Sequence, residues 1–160
     1  VHYNEYSTGR PHVEGKDKDR FRSKYLDIPN EPLYPFGYGL SYTTFEVSDI
    51  QLNQTWMDTS GEIEAEVTVK NTGNCTGTET LQLYIHDIAA SVVRPVRELK
   101  DFKKVTLRPG EEKKVVFIIT EQQLLFLTEN GIYESEAGEF EIFIGKDSLT
   151  GNKASFVLKK

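Results

Sequence analysis

The sequence predicts an all-β fold, a sandwich of about seven short antiparallel strands, and three observations carry that prediction. From residue 45 almost to the C-terminus, short runs of alternating apolar and polar residues recur with turn residues between them, the period of half-buried strands. No long amphipathic helical pattern interrupts these runs, so the crossover helices that parallel strands require are missing. Ahead of the runs lies the segment 32–45, PLYPFGYGLSYTTF, with five aromatics, two prolines, two glycines and no charge. Proline fixes φ and glycine permits φ > 0, so this segment is expected to be a rigid bent loop rather than a helix or a ladder-forming strand.

Taken in order, residues 1–31 show no sustained apolar period, and 14–24 is dominated by charge, as in a solvated extension. Its expected anchors are Tyr3, Tyr6, Phe21, Tyr25, Leu26 and Ile28. Phe45 and Val47, then Ile50 and Leu52, predict a first strand. Residues 62–70 give the cleanest alternation: Ile63, Ala65, Val67 and Val69 on a buried face, Glu62, Glu64, Glu66, Thr68 and Lys70 on a wet one. After the turn Asn71-Thr72-Gly73-Asn74, Leu81, Leu83 and Ile85 alternate with Thr80, Gln82 and Tyr84, predicting a second strand of the same kind. Phe102, Val105 and Leu107 mark another, closed by the turn pair Pro109-Gly110. Residues 113–120 hold the continuous apolar run Val115-Val116-Phe117-Ile118-Ile119, which reads as the most buried strand, covered on both sides. A helical turn is expected within 122–127, and a turn at Asn130-Gly131. Phe140, Ile142 and Ile144, then Phe156 and Leu158, give the last strands. Val67, Leu83, Phe117, Phe140 and Ile142 are the expected core.

Composition bounds the function. A chain of 160 residues holds one domain with an extension and is too short for a catalytic barrel of about 250 residues. A net charge of −6, with Lys and Arg scattered among Asp and Glu, argues against nucleic acid as a partner. The single cysteine, Cys75, excludes an intrachain disulfide. No apolar run approaches the roughly 20 residues of a membrane-spanning helix, so no membrane partner is expected. A first residue that is Val, with no basic-then-apolar leader pattern behind it, suggests a piece of a longer chain.

The wording of 32–45 closely resembles the segment that joins the catalytic part of glycoside hydrolase family 3 enzymes to their C-terminal fibronectin type III-like domain. The resemblance extends upstream to Tyr3-Asn4, Thr8-Gly9-Arg10-Pro11, Arg20-Phe21 and Lys24-Tyr25-Leu26-Asp27. Downstream it runs through Val69-Lys70-Asn71-Thr72-Gly73, Leu81-Gln82-Leu83-Tyr84-Ile85, Ser91-Val92-Val93-Arg94-Pro95-Val96-Arg97-Glu98-Leu99 and Leu107-Arg108-Pro109-Gly110-Glu111. Singly these are common turns and strands; as an ordered series over nearly the whole chain they are specific. Departures are mild: Asp101 stands where glycine is common, Cys75 occupies a variable turn position, and the turn 145–148 lacks the usual paired serines.

The resemblance implies an immunoglobulin or fibronectin type III-like sandwich over 45–160, preceded by a linker and extension over 1–44. It implies a parent similar to β-glucosidases and β-xylosidases, retaining and exo-acting, whose nucleophilic aspartate sits on an N-terminal barrel and whose acid/base sits on the following α/β domain. Neither domain is in this chain, so no catalytic, cofactor-binding or metal residue is assigned. The expected role is an accessory brace, its partners the catalytic domains of the same parent chain, with an oligosaccharide contact as a further expectation. A secreted or periplasmic parent is compatible with the resemblance. Tyr34, Phe36, Tyr38 and Tyr42 are the expected inter-domain contacts: Phe36 and Leu40 should stay buried within the chain, and Tyr34 or Tyr38 should be substantially exposed or covered by a neighbouring molecule. Two alternatives stand beside this reading, a carbohydrate-binding module and a free-standing adhesion domain.

The chemistry-bearing residues point the same way. His2, His12 and His86 lack zinc-ligand spacing. His86-Asp87 resembles an acid/base dyad, but neighbours on a strand point to opposite faces. A glycosidase needs two carboxylates about 5 Å apart for retention, and 25 acidic residues make accidental pairs uninformative. Cys75 has no nearby histidine in sequence to activate it. Asn53-Gln54-Thr55 and Asn74-Cys75-Thr76 fit the N-glycosylation pattern and are assigned no role. Trp56 reads as either a sugar-stacking platform or a packing cap. Arg94 or Arg97 either pairs with Asp87 or Glu98, or solvates an edge that Pro95 keeps out of a ladder.

Overall fold

The computed structural model describes residues 32–160, so the expectations for 1–31 lie outside the described residues. The alternating runs become strands β1 (Phe45–Val47), β2 (Gln51–Leu52), β3 (Trp56–Met57), β4 (Glu62–Asn71), β5 (Gly77–Asp87), β6 (Glu98–Leu107) and β7 (Glu112–Thr120). A one-turn helix α1 (Glu121–Leu124) follows, then β8 (Phe126–Leu127), β9 (Tyr133–Glu134), β10 (Gly138–Gly145) and β11 (Lys153–Leu158). In α1, Gln123 Oε1 accepts from the Thr120 backbone N–H at 2.9 Å, so the helix entry satisfies its own donor.

Two sheets pack as a sandwich. In the four-stranded sheet, β1 and β2 share one edge of β4, and β7 pairs along the other, all antiparallel. The five-stranded sheet runs β3-β11-β10-β5-β6. It is antiparallel except for β3, which lies parallel to β11 with Trp56 opposite Val157. β8 and β9 form a separate hairpin. The core lies between the sheets, where Val67 and Phe117 from one face Leu83, Phe140 and Ile142 from the other, all buried. These are the five expected core residues, and the Phe140 and Phe156 rings stack at 5.5 Å within that core.

Three expectations need correction. The run 115–119 is not covered on both sides: β7 is an edge strand, with Val115, Phe117 and Ile119 inward and Ile118 partly exposed. Its outward β-branched residues suit an extended backbone without being buried. Lys103 of β6 donates to the Val116 carbonyl and so blocks that open edge. The most buried strand is instead β5, in which Gln82 and Tyr84, expected to be wet, are as buried as Leu81, Leu83 and Ile85. Phe102, expected to be part of the apolar pattern of β6, lies exposed opposite Gln82. The outer face of the five-stranded sheet is therefore partly covered near Gln82, and what covers it is the opening loop.

Turn chemistry follows the sequence. At Arg108-Pro109-Gly110-Glu111 the Glu111 N–H donates to the Arg108 carbonyl at 3.0 Å, and Gly110 has φ +75°. That is a type II turn, with proline and glycine at the positions it demands. At the Asn71 turn the side chain becomes a buried hub. Its Oδ1 accepts from Thr43 Oγ1 at 2.7 Å, and its Nδ2 donates to the carbonyls of Cys75 and Leu107 at 2.8 and 3.0 Å. A fully satisfied buried amide of this kind ties the end of the linker to two strands of the sandwich.

Candidate interdomain surface

The loop ahead of β1 is held by its backbone. At Pro35-Phe36-Gly37-Tyr38 the Tyr38 N–H donates to the Pro35 carbonyl at 3.1 Å, and Gly37 has φ +82°, again a type II turn. A Cβ on Gly37 would meet Gln82 Oε1 at 1.9 Å, so glycine is required both for φ and for close approach. Gln82 Nε2 donates to the carbonyls of Gly37 at 3.1 Å and Lys146 at 2.6 Å, while its Oε1 accepts from the Tyr84 hydroxyl. The Ser148 N–H donates to the Phe36 carbonyl at 2.9 Å. Further along, Thr72 N–H donates to the Thr44 carbonyl and Cys75 Sγ contacts the Tyr42 carbonyl.

With the backbone fastened at its turn and at its exit, the side chains point away. Tyr34 is 63%, Tyr38 45% and Tyr42 102% exposed, and the rings of Tyr34 and Tyr38 stack at 5.0 Å. Tyr34 and Tyr38 are thus exposed, as expected. Phe36 and Leu40 are not the buried pair that was expected: Phe36 is 43% and Leu40 89% exposed. Phe36 is anchored through its carbonyl, and hydrogen bonds fasten the loop at its turn.

Two arginines organise the rest of this side. Arg94 pairs with both Asp87 (2.9 Å) and Glu98 (3.0 Å) and lies over the Phe126 ring, with the Arg94 and Asp87 side chains nearly buried. Burial works to raise the Glu98 pKa, but Lys100, which bonds the same carboxylate at 2.6 Å, and Arg94 outweigh it and hold it below the ordinary value. Arg97 takes a different partner from those expected. It lies over the Phe143 ring at 3.7 Å and donates to the carbonyls of Ser148 (2.7 Å) and Thr150 (2.8 Å). Burial lowers the Arg97 pKa from its ordinary value, opposed by the charge of Glu141.

Among the described residues the remaining candidates do not assemble into a reaction centre; His2 and His12 lie outside them. A shallow groove of about 400 Å³ beside the loop is lined by Ser41, Tyr42, Thr43, Thr44, Thr72, Gly73 and Asn74, without a carboxylate. Among the described residues no three His, Cys, Asp or Glu side chains are placed to hold a metal ion. His86 and Asp87 end β5, where Asp87 serves Arg94 and the buried His86 Nδ1 has no hydrogen-bond partner. Cys75 is a free thiol. Trp56 is half exposed on the edge strand β3, with the Lys159 ammonium 4.3 Å over its ring, and does not extend into an aromatic stripe. Sequence reading found the aromatics and arginines but missed Asn71, Gln82 and Ser148, the groups that fasten the loop. Polar side chains in an apolar strand or at a turn look wet until the covering segment is known.

Fold and site together define a fibronectin type III-like β-sandwich with a rigidly seated aromatic entry loop, and residues 79–148 match the model of the fibronectin type III-like domain. The relatives specify the kind further. The chain is 46% identical over 158 residues to a periplasmic β-glucosidase of Salmonella typhimurium, covering 99% of this chain and 20% of that protein. It is 48% identical over 140 residues to a putative β-xylosidase of Formosa agariphila, covering 88% and 18%. The structure superposes on a β-glucosidase from Listeria innocua in complex with glucose with TM-score 0.91 and 39% identity, covering all of this chain and 22% of that one. The chain belongs to the fibronectin type III-like domains of glycoside hydrolase family 3. It spans about a fifth of the length of the curated relatives it matches, in their C-terminal part.

Proposed function

We propose that this chain braces the catalytic domains of a β-glucosidase-type family 3 hydrolase, using the aromatic loop 32–42 as its contact with them. The parent hydrolyses terminal β-linked sugars; the sandwich contributes no group to bond cleavage and holds the catalytic domains in register. One observation carries this reading: Leu33, Tyr34, Phe36, Tyr38, Leu40 and Tyr42 all project into solvent from an uncharged loop whose backbone is tied down. Burying one aromatic is worth roughly 1.5 to 3 kcal/mol. A preordered row of them is the form a docking surface takes, because the ordering cost has already been met within the domain.

The test is Tyr38→Ala in the full-length parent and in this chain. The expected result is a lower melting temperature for the parent, with this chain's own melting temperature unchanged. Equal loss in both would place Tyr38 in the domain's own stability and remove the brace.

A further inference from the structure

A second exposed apolar stretch is tied to the first, edged by the carboxylates of Glu136, which accepts from the Ser91 N–H, and Asp147, which accepts from the Leu149 N–H. The connection between β5 and β6 reads Ile88-Ala89-Ala90-Ser91-Val92-Val93-Arg94-Pro95-Val96-Arg97, and both of its charges turn back into the fold. Arg94 is consumed by Asp87 and Glu98, and Arg97 by the carbonyls of Ser148 and Thr150. Apart from Ser91, what remains outward is apolar: Ile88 is 46%, Val93 62% and Val96 44% exposed. Leu149, 66% exposed, sits between the two carbonyls that Arg97 holds. Ser148, whose carbonyl Arg97 takes, gives its N–H to Phe36 of the linker loop. Arg97 thus links the end of the 88–97 connection to the segment carrying Leu149 and, through Ser148, to the loop 32–42.

We infer that the 88–97 connection together with Leu149 is a second docking surface, and that its occupant is the catalytic part of the same parent chain. This rests on the brace reading above. The occupant follows from continuity and from length. The surface is hydrogen-bonded to the loop through which the rest of the parent is reached, and the relatives are about five times as long as this chain, with the match in their C-terminal part. A polar sugar ligand would need free donors and acceptors, whereas both guanidinium groups here are spent on internal partners. Pro95 and the Asp87-Arg94-Glu98 cluster stiffen the connection, so little ordering is left to be done on docking.

Hydrogen exchange, followed by mass spectrometry on this chain and on the full-length parent, separates the two readings. Amides of 88–97 should exchange about tenfold or more slowly in the parent than in the chain alone, alongside protection of 33–42. Protection of 33–42 with 88–97 unchanged within about twofold would overturn the second surface and leave the brace. No protection in either segment would overturn both. The double substitution Val93→Asp, Val96→Asp adds an independent arm. It should lower the melting temperature of the parent and leave that of this chain unchanged. Loss in the isolated chain as well would assign these valines to the domain's own stability and overturn the proposal.

Discussion

The outer faces of the two sheets start from the same kind of sequence and end differently. On the four-stranded sheet, Glu62, Glu64, Glu66 and Lys70 stand in water or near it, and Lys114 of β7 reaches Glu66 across the ladder at 2.7 Å. On the five-stranded sheet, Gln82, Tyr84 and Phe143 occupy the equivalent outward positions and are buried. The difference lies in what crosses the sheet. Nothing described lies over the acidic face, whereas the turn at Gly37 and the Arg97 side chain lie over the other. An alternating strand therefore specifies its inner face by itself, while its outer face depends on segments distant in sequence.

Mutations can break that comparison at graded depths. The largest effect belongs to the core that both faces share: Phe117→Ala should destabilise the domain by about 3 to 5 kcal/mol in urea unfolding. A loss under about 1 kcal/mol would mean that β7 does not face the second sheet. On the covered face, Gly37→Ala forces an L-residue to φ +82° against Gln82, and should cost about 1 to 2 kcal/mol. No change would mean the turn is not seated on the sheet.

The ionic contacts differ in the same sense. The Glu98 pKa is depressed in the folded state, so its contribution is present above the ordinary value of 4.5 and is lost as pH falls through the lower, folded value. Stability measured below pH 4.5 should therefore fall less steeply in Glu98→Gln than in the natural chain. The smallest effect is expected on the wet face. Lys114→Ala removes an ion pair whose lysine side chain is 71% exposed, and should change stability by less than about 1 kcal/mol. A larger loss would show that this face too supports something.

The same contrast explains what the sequence could display. The strict alternation of 62–70 announced β4 with its inner and outer faces, because nothing else acts on them. The run 115–119 misled because β-branched residues favour an edge strand's extended backbone as well as a buried one. Gln82 and Tyr84 misled for the opposite reason, since their cover comes from a loop 45 residues upstream. The aromatic loop was legible as a rigid bent segment, but the direction of Phe36 and Leu40 was not: carbonyl anchors leave no trace in side-chain identity. For Arg94 and Arg97 the sequence left pairing with Asp87 or Glu98 level with solvating an edge; the fold gives Arg94 both acids and Arg97 two carbonyls.

The central claim is that the tyrosines exposed on this domain are covered in the parent enzyme. Hydroxyl-radical footprinting of Tyr34, Tyr38 and Tyr42 in this chain and in the full-length parent reads it directly, with this chain's values as the exposed reference. The account predicts strong modification of all three in the chain alone, greatest at Tyr42, and marked protection in the parent. Equal modification in the two proteins would contradict it.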